Sequence, residues 1–419
     1  MKRKTARFWK ALALGGTLVL AACNGGGPSG TQVQVALVNG LNEPINATAA
    51  AYRVGNGSFQ PLSQSGPGTY TFTVPAGQDR YTVVFRCPYF GTLSGTVLAL
   101  SYELTLAEAT AFKARCPSAY AGPEANLNQT DDNTSSQDFN GGSAAAYSAT
   151  SGAPFLDEGG DNVVNDIDNS FRVPVGPNRE VAIFGEVSGT YYFGRGFFTI
   201  TPTTTSIPQI SVSPVSATFG TANPAQANLL GKEVNVSLGS GNTFPKPSAD
   251  PNDLYQVLTF SGNSAALRRI PASSLPATVN LSAPSLTFSP SVSPPVPGDL
   301  PTFQGLSASG FSAGISLRGY LLELTWPTSS RWQHFVSQGA LSGSTYALPD
   351  PTGVAGLSAL KPTSGDLVGW QALALGTDKP LNQLLAADPI PQGFGFDLID
   401  RRLALELEAA SDANSYTQP

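Results

Sequence analysis

The sequence is poor in the residues and motifs on which many enzymes depend. Among its 419 residues it has one histidine, three cysteines and one methionine, and only 12% of its residues are charged. It contains no Walker loop, and the patterns G-x-G-x-x-G and G-x-S-x-G occur once each, as GGGPSG at residues 25–30 and GFSAG at residues 310–314. The glycine pattern lies just after Cys23 rather than after a predicted strand, so it is not a typical phosphate-binding loop. A five-residue serine pattern in a chain rich in glycine and serine is by itself weak evidence for a serine hydrolase.

The single histidine is His334, in the stretch SSRWQHFVSQG. A Ser–His–Asp site would have to use it as the general base. Because its neighbours are typical of a β-strand, we interpret His334 as a surface or edge-strand residue rather than as a catalytic one.

The first 22 residues have the pattern of a secretory signal. Five basic residues precede an apolar run over residues 11–22. Twelve residues form about 18 Å of helix at ~1.5 Å per residue, which is too short for a hydrocarbon core of about 30 Å. We therefore predict an exported protein with a cleaved signal peptide and no membrane-spanning helix in this region.

The residues Leu20-Ala21-Ala22-Cys23 are similar to the bacterial lipobox. This resemblance implies diacylglycerol on the thiol of Cys23, cleavage before it and acylation of the new amino terminus. An ordinary signal peptide with an incidental cysteine is the alternative. We favour the lipoprotein because two acyl chains, at about 0.8 kcal/mol per buried CH2, account for a cysteine that no fold requires. By analogy with lipoprotein sorting, Asn24 favours the outer membrane, with the folded part facing the periplasm or the exterior.

Signal removal makes the chain strongly acidic. The mature chain would keep 18 basic and 29 acidic residues, a net charge of −11. Nucleic-acid binding through counterion release needs a basic face, so we expect no nucleic-acid partner. An anionic membrane surface would also repel the folded part, so membrane attachment must come from the lipid.

The two remaining cysteines, Cys87 and Cys116, occur in the similar settings FRCPYF and ARCPSA. In an exported protein we expect them to form a disulfide. Closing a loop of about thirty residues contributes roughly 3–4 kcal/mol in the chain-entropy model. A redox or zinc pair is the alternative. The lack of a C-x-x-C spacing and the distance to the only histidine argue against it.

The sequence repeats a motif at intervals of about one hundred residues. The stretches FTVPAGQDRYTVVF, FRVPVGPNREVAIF and RRIPASSLPATVNL begin at positions 72, 171 and 268. In the first copy, Tyr70, Phe72 and Val74 alternate with threonines, as in a half-buried strand. Proline and glycine then end that strand, and the apolar TVVF is expected to return beside it, which predicts a β-hairpin.

The first copy, GTYTFTVPAGQDRYTVVF, resembles the carboxypeptidase-regulatory or transthyretin-like β-sandwich over residues 33–87. The preceding stretch, VALVNGLNEPINATAAAY, departs from the family's usual phrase. The resemblance implies a non-catalytic accessory module of a secreted protein and provides no catalytic residues to transfer.

Together, 44 glycines, 34 prolines and 41% hydrophobic residues predict an all-β protein with many turns. We expect tandem β-sandwich domains of transthyretin-like or immunoglobulin-like type, each about one hundred residues long. The segments are 1–22 (signal peptide), 23–31 (lipidated Cys23 and flexible tether), 32–117 (first sandwich, with the disulfide), 118–204 (second sandwich), 205–297 (third sandwich) and 298–419 (C-terminal domain with three tryptophans). The Pro-rich stretch 289–298 is expected to be a stiff spacer.

An acidic stretch, LDEGGDNVVNDIDNS, is the candidate metal site. Closely spaced carboxylates in a glycine-bearing loop suit Ca²⁺, which extracellular modules often bind weakly. The spacing matches no EF-hand, and a solvated loop whose side chains satisfy turns is the alternative. The candidate ligands of this possible structural calcium ion are Asp157, Asp161, Asp166 and Asp168.

These observations predict a lipid-anchored cell-envelope protein without catalysis of its own, with a structural, adhesive or ligand-presenting role. Envelope proteins or glycans are the expected partners.

The alternative is a surface lipoprotein that binds, or less readily cleaves, carbohydrate or peptidoglycan. Cleavage would need two carboxylates at a defined distance in space, and the sequence alone does not determine that distance. We interpret most aromatic residues of the last segment as core rather than as a sugar platform. The carboxylates available for a pair there are Glu323, Asp350, Asp366 and Asp397.

Overall fold

The computed structural model describes residues 30–88, 97–116, 124–127, 143–147, 154–158, 171–187, 189–204, 212–327, 330–390 and 396–419. The structure is nearly all β, with 56% strand and 4% helix, which confirms the predicted fold class. Among the described residues, no helix is long and apolar enough to span a membrane.

The strands are numbered in chain order. The first fourteen are β1 (Gly30–Val38), β2 (Ala49–Val54), β3 (Gln60–Pro61), β4 (Gln64–Gly66), β5 (Thr69–Pro75), β6 (Arg80–Cys87), β7 (Leu98–Thr105), β8 (Ala111–Arg115), β9 (Glu124–Leu127), β10 (Ser143–Tyr147), β11 (Pro154–Glu158), β12 (Phe171–Pro174), β13 (Gly176–Val187) and β14 (Thr190–Ile200). The others are β15 (Val212–Val215), β16 (Thr218–Leu230), β17 (Asn235–Pro245), β18 (Leu254–Ser261), β19 (Ser264–Pro271), β20 (Thr278–Val279), β21 (Ser291–Ser293), β22 (Thr302–Gln304), β23 (Ser316–Trp326), β24 (Ser330–Ser337), β25 (Tyr346–Ala347), β26 (Leu367–Thr377) and β27 (Leu405–Thr417). The helix α1 is Leu381–Ala386, and single 3-10 turns span Ala272–Ser274 and Ser358–Leu360.

One 13-stranded sheet organises most of the described chain. Its strand order is β17-β16-β18-β19-β27-β26-β23-β24-β7-β6-β2-β3, with β20 paired to β16. Strands from the predicted first, third and C-terminal segments therefore share backbone hydrogen bonds. The junction between the first and the C-terminal segment is the parallel pair β7 and β24. The domain boundaries stay a prediction, but these three segments are in contact through a continuous sheet.

The first segment forms a sandwich, and the predicted disulfide is present. A four-stranded sheet, β4-β5-β1-β8, packs on the part of the large sheet made by β2, β6 and β7. Cys87 at the end of β6 is bonded to Cys116, just after β8, and both are buried. The bond thus links the two layers of the sandwich. The stretch before β8 is a turn followed by a strand, and the Thr105 backbone N–H donates to the Glu108 carboxylate there, at 2.9 Å.

The predicted β5–β6 hairpin is wrong. β5 pairs with β1 and β4, whereas β6 pairs with β2 and β7, so the turn after Pro75 carries the chain from one layer to the other. The strand β6 is buried on both faces because it is an interior strand with a layer on each side. Alternation in β5 correctly indicated one buried face, but it contains no information about the pairing partner.

The repeated motif nevertheless has a common structure. β5, β12 and β19 each end at the proline of the motif, namely Pro75, Pro174 and Pro271. In each copy the next strand pairs with other strands: β13 with β10 and β14, and β20 with β16. Proline cannot donate to the ladder, so it ends the strand and lets the chain change partners.

Two hydrophobic cores lie on opposite faces of the large sheet. The helix face is covered by the first-segment sheet, by α1 and by residues 396–403, around Phe85, Leu321 and Leu384. The loop face is covered by residues 286–311 and 340–360, around Trp332 and Phe303. Part of the expected spacer 289–298 forms β21 in the three-stranded sheet β21-β22-β25 and contacts this second core, so that stretch is not a free spacer.

Candidate functional site

The strand register brings a group of polar side chains together on the loop face. On the parallel strands β7 and β24, Ser101 lies opposite His334. Across β2, β6 and β7, the cross-strand row is Arg53, Thr82 and Glu103. Because side chains alternate between faces, these residues all point to the side on which Val84 and Leu322 contribute to the second core.

These side chains form a continuous hydrogen-bonded relay. The Trp332 indole Nε1–H donates to Ser101 Oγ at 2.7 Å, and Ser101 Oγ is 2.7 Å from His334 Nδ1. His334 Nε2 is 2.7 Å from the Tyr346 hydroxyl, which donates to Glu103 Oε2 at 2.7 Å. Glu103 Oε2 also accepts from Arg53 and from Thr82, both at 2.9 Å.

The chemistry of the partners fixes the direction of every proton in the relay. An ionised Glu103 only accepts, so the Tyr346 hydroxyl must donate to it and accept from His334. The imidazole therefore carries its proton on Nε2, which leaves Nδ1 as the acceptor for the Ser101 hydroxyl. The Ser101 oxygen in turn accepts from Trp332. Each polar group has a partner, which a buried network requires in order to be stable.

The pKa directions agree with this proton assignment. Burial lowers the pKa of His334 to about 3, so the ring is neutral at neutral pH. Burial disfavours the Glu103 anion, but the hydrogen bond from Tyr346 and the charge and hydrogen bond of Arg53 favour it, and the carboxyl pKa is lowered. Burial and the Glu103 charge raise the pKa of Tyr346 well above its ordinary value. The network thus holds one carboxylate, one neutral imidazole and one neutral phenol.

The interpretation of His334 as a surface or edge residue is wrong. It is 1% exposed, and β24 lies between β7 and β23 in the interior of the sheet. The relay runs from Ser101 to His334 and then to an acid, as in a serine hydrolase. It differs in that Tyr346 lies between His334 and the acid, Glu103. However, Ser101 is also 1% exposed and is already bonded to Trp332, so no substrate reaches its hydroxyl in this conformation. In this arrangement the relay holds β7, β24 and β25 together.

A second buried ionic cluster joins the first segment to the C-terminal segment. Arg115 on β8 contacts Asp400 at 2.6 Å, and Arg401 contacts Asp397 at 2.7 Å. The Tyr102 hydroxyl also donates to Asp397. All five side chains are buried, and the two ion pairs leave the cluster without a spare carboxylate for catalysis.

The four carboxylates considered for glycoside hydrolysis are held by different neighbours. Asp397 belongs to the ionic cluster, and Glu323 pairs with Arg331 at 2.5 Å. Asp350 pairs with Lys361 at 3.0 Å, and Asp366 accepts from the Thr363 backbone N–H at 2.7 Å. The structure thus engages each carboxylate with its own neighbours.

The aromatic residues of the last segment are mainly core, as predicted. Trp332, Trp370, Tyr320 and Tyr346 are all buried in the second core, and Trp326 packs against it. None of the four buried rings is available as a sugar platform.

An open groove of 260 Å³ lies on the helix face of the large sheet. Its floor is apolar and includes Leu373 and Ala409, and its walls include Phe260 and Phe396. Phe260, at the end of β18, is 58% exposed. The polar lining includes Asn263, Gln371 and Ser411, and no charged residue lines the groove among the part of the chain that the structure describes.

Several predicted site residues cannot be placed. Cys23, Asp161, Asp166 and Asp168 lie outside the described residues, and Asp157 is on β11, where only the backbone is described. Within the described ranges, no group of three or more His, Cys, Asp or Glu side chains is arranged to hold a metal ion. The calcium site and the lipidation site therefore stay predictions.

Comparisons with known proteins give no functional assignment. No protein-family model matches this chain, and no curated protein matches it. Function must therefore be argued from the residues of this chain alone.

Proposed function

We propose that this protein is a lipid-anchored cell-envelope protein with a non-catalytic structural, adhesive or ligand-presenting role. The observation that carries the proposal is the Leu-Ala-Ala-Cys sequence ending at Cys23, a few residues before β1 begins at Gly30. Seven residues at roughly 3.3–3.6 Å each reach about 25 Å, so the anchor would keep the folded part close to the bilayer. The outer membrane is the favoured membrane where the cell has two.

The state of the buried ionisable groups supports a non-catalytic role. Glu103, His334, Asp397 and Asp400 are each engaged with a named partner inside the fold. Catalytic groups need access to a substrate and a pKa matched to their task, and a histidine with a pKa of about 3 is a poor general base. The disulfide between Cys87 and Cys116 supports folding in an oxidising compartment.

Glycan binding is the second candidate, and the groove near Phe260 favours it. An exposed ring and a partly buried ring beside neutral amide side chains suit ligands that have both apolar faces and hydroxyl groups. Phe260, Phe396, Asn263 and Gln371 provide this combination in one place.

The lipid anchor is tested by expressing the full chain in a bacterium fed an alkyne-tagged fatty acid. We expect the tag on the protein and its loss in the Cys23→Ser variant. A wild-type chain that is exported without the tag would contradict the anchor.

The two candidate roles are separated by a binding experiment with the Cys23→Ser chain purified in detergent. It is incubated with purified cell-wall sacculi and, separately, with solubilised envelope proteins, each with and without calcium. Retention on sacculi that free glycan competes away favours glycan binding. Capture of specific envelope proteins, with sacculi unbound, favours the structural or adhesive role.

A further inference from the structure

A second cavity is lined by residues that belong neither to the relay nor to the groove near Phe260. It has a volume of 420 Å³ and lies between the edge of the five-stranded sheet, at β14 and β15, and strand β18. This volume is within the range of small-molecule pockets, about 300–1,000 Å³. Its lining combines apolar groups, serine hydroxyls and one charged side chain, Lys246.

Lys246 differs from the other described lysines in having no carboxylate partner. Lys113, Lys232, Lys361 and Lys379 each lie within ion-pair distance of an acidic side chain. In the part of the chain that the structure describes, Lys246 makes no ion pair and no side-chain hydrogen bond, although it is half-buried. A lysine without a carboxylate partner beside a cavity is free to pair with an anionic ligand.

The backbone around Lys246 is held in place. Its N–H donates to the Ala217 carbonyl at 2.8 Å, and prolines precede and follow it. The carbonyl of Pro247 accepts from the buried Tyr255 hydroxyl at 2.6 Å. Proline fixes φ at about −65°, so this segment loses little conformational freedom when a ligand binds.

The rest of the lining indicates what the ligand carries besides its negative charge. Phe193 and Val215 provide apolar surface, and Ser213, Ser216 and Ser248 provide hydroxyl groups. The nearby Arg195, which lies over the Phe193 ring, is neutralised by Glu180 at 3.1 Å and Asp253 at 2.7 Å. Lys246 can therefore pair with one anionic group of a ligand. The serine hydroxyls and the apolar surface suit a sugar ring in the same ligand.

We propose that this cavity binds a small acidic sugar, with its carboxylate on Lys246 and its ring between the serines and Phe193. The proposal rests on the glycan-binding candidate only for the class of ligand, and it uses a different surface from the groove near Phe260.

The test is calorimetric titration of the Cys23→Ser chain, purified in detergent, with glucuronate, glucose and acetate. We expect measurable binding of glucuronate, at least tenfold weaker binding of glucose and acetate, and weaker glucuronate binding at higher salt. Lys246→Gln should weaken glucuronate binding at least tenfold, whereas Lys379→Gln, whose lysine pairs with Asp378, should not change it.

A second variant tests the cavity independently, in case Lys246→Gln fails to fold. Val215→Trp places a large ring in the cavity from the edge strand β15 and should abolish binding, with the melting temperature as the check on folding. The proposal is overturned if glucose or acetate binds as tightly as glucuronate, if no compound binds, or if a folded Lys246→Gln chain binds unchanged. If the proposal is overturned but the chain is still retained on sacculi, glycan binding would be assigned to the groove near Phe260 instead.

Discussion

Ser101 lies opposite His334 across the parallel strands β7 and β24, and its hydroxyl oxygen is 2.7 Å from Nδ1 of the imidazole. The two residues are 233 positions apart in the chain and belong to the predicted first and C-terminal segments. A parallel pair cannot be closed by a short turn, so side-chain contacts such as this one help to fix its register. The hydrogen bonds of the relay therefore stabilise the contact between the first and the C-terminal segments.

Removing the central hydroxyl of the relay should destabilise the fold. In Tyr346→Phe the His334 Nε2–H loses its acceptor and Glu103 loses a donor, both in a buried environment. A buried polar group without a partner costs about 1–3 kcal/mol. We expect the free energy of unfolding, measured with denaturant, to fall by that amount.

The matched control for this prediction is Tyr52→Phe. The Tyr52 hydroxyl bonds Gln60 at the surface, at 3.2 Å, and the ring stacking on Phe72 would be kept. Exposed substitutions of this kind usually stay within about 0.5 kcal/mol. Equal losses in the two variants would contradict a special role for the relay.

The disulfide should contribute substantially to stability because it links the two layers of the first sandwich. Replacing both Cys87 and Cys116 by alanine should lower the free energy of unfolding by roughly 3–4 kcal/mol. Denaturation with and without a reductant checks this on the unmodified chain. If thiol labelling is the same before and after reduction, the bond does not form in solution.

Calcium binding is predicted from sequence for Asp157, Asp161, Asp166 and Asp168. A ligand that binds only the folded state raises its stability by mass action, so millimolar Ca²⁺ should raise the melting temperature of the purified chain. Changing the four aspartates to asparagine should remove the increase. An unchanged melting temperature of the original chain in calcium would favour the solvated loop.

The sequence predicted local features better than pairings. Pro75, Pro174 and Pro271 end their strands as expected, because a missing N–H acts locally. The hairpin after Pro75 failed because hydrophobic alternation reports which face of a strand is buried and not which strand lies beside it. The pairing of β6 depends on β2 and β7 and on the layers above them.

The relay could not be predicted for a similar reason. Residues 332–335 are all buried, so the stretch does not alternate between buried and exposed positions as an edge strand does. The partners of His334 are Ser101, from a distant part of the chain, and Tyr346, from β25. One signal was available in the sequence: a lone histidine next to tryptophan and phenylalanine is compatible with burial as well as with a surface strand.

Acidification should lower the free energy of unfolding because His334 is held neutral in the folded state. The pKa of His334 is about 3 in the folded state, below the ordinary value of 6.5, so the folded state binds fewer protons than the unfolded chain between these values. Stability from this group is therefore fully present above pH 6.5 and is lost as the pH falls toward 3. Glu103, whose pKa is also lowered, adds a loss in the same direction below its ordinary value of 4.5.

The measurement is the free energy of unfolding as a function of pH for the wild-type chain and for His334→Gln. The glutamine variant keeps a polar side chain but cannot titrate, so its stability should fall less steeply between pH 6.5 and 4.5, where the unfolded histidine takes up a proton. Other carboxylates titrate in both chains, and their effect cancels in the comparison. In the wild-type chain, the imidazole NMR signals should not titrate between pH 5 and 8. A histidine that titrates near pH 6.5, with identical pH profiles for the two chains, would show that the relay is open to water and that its protons are not held as derived above.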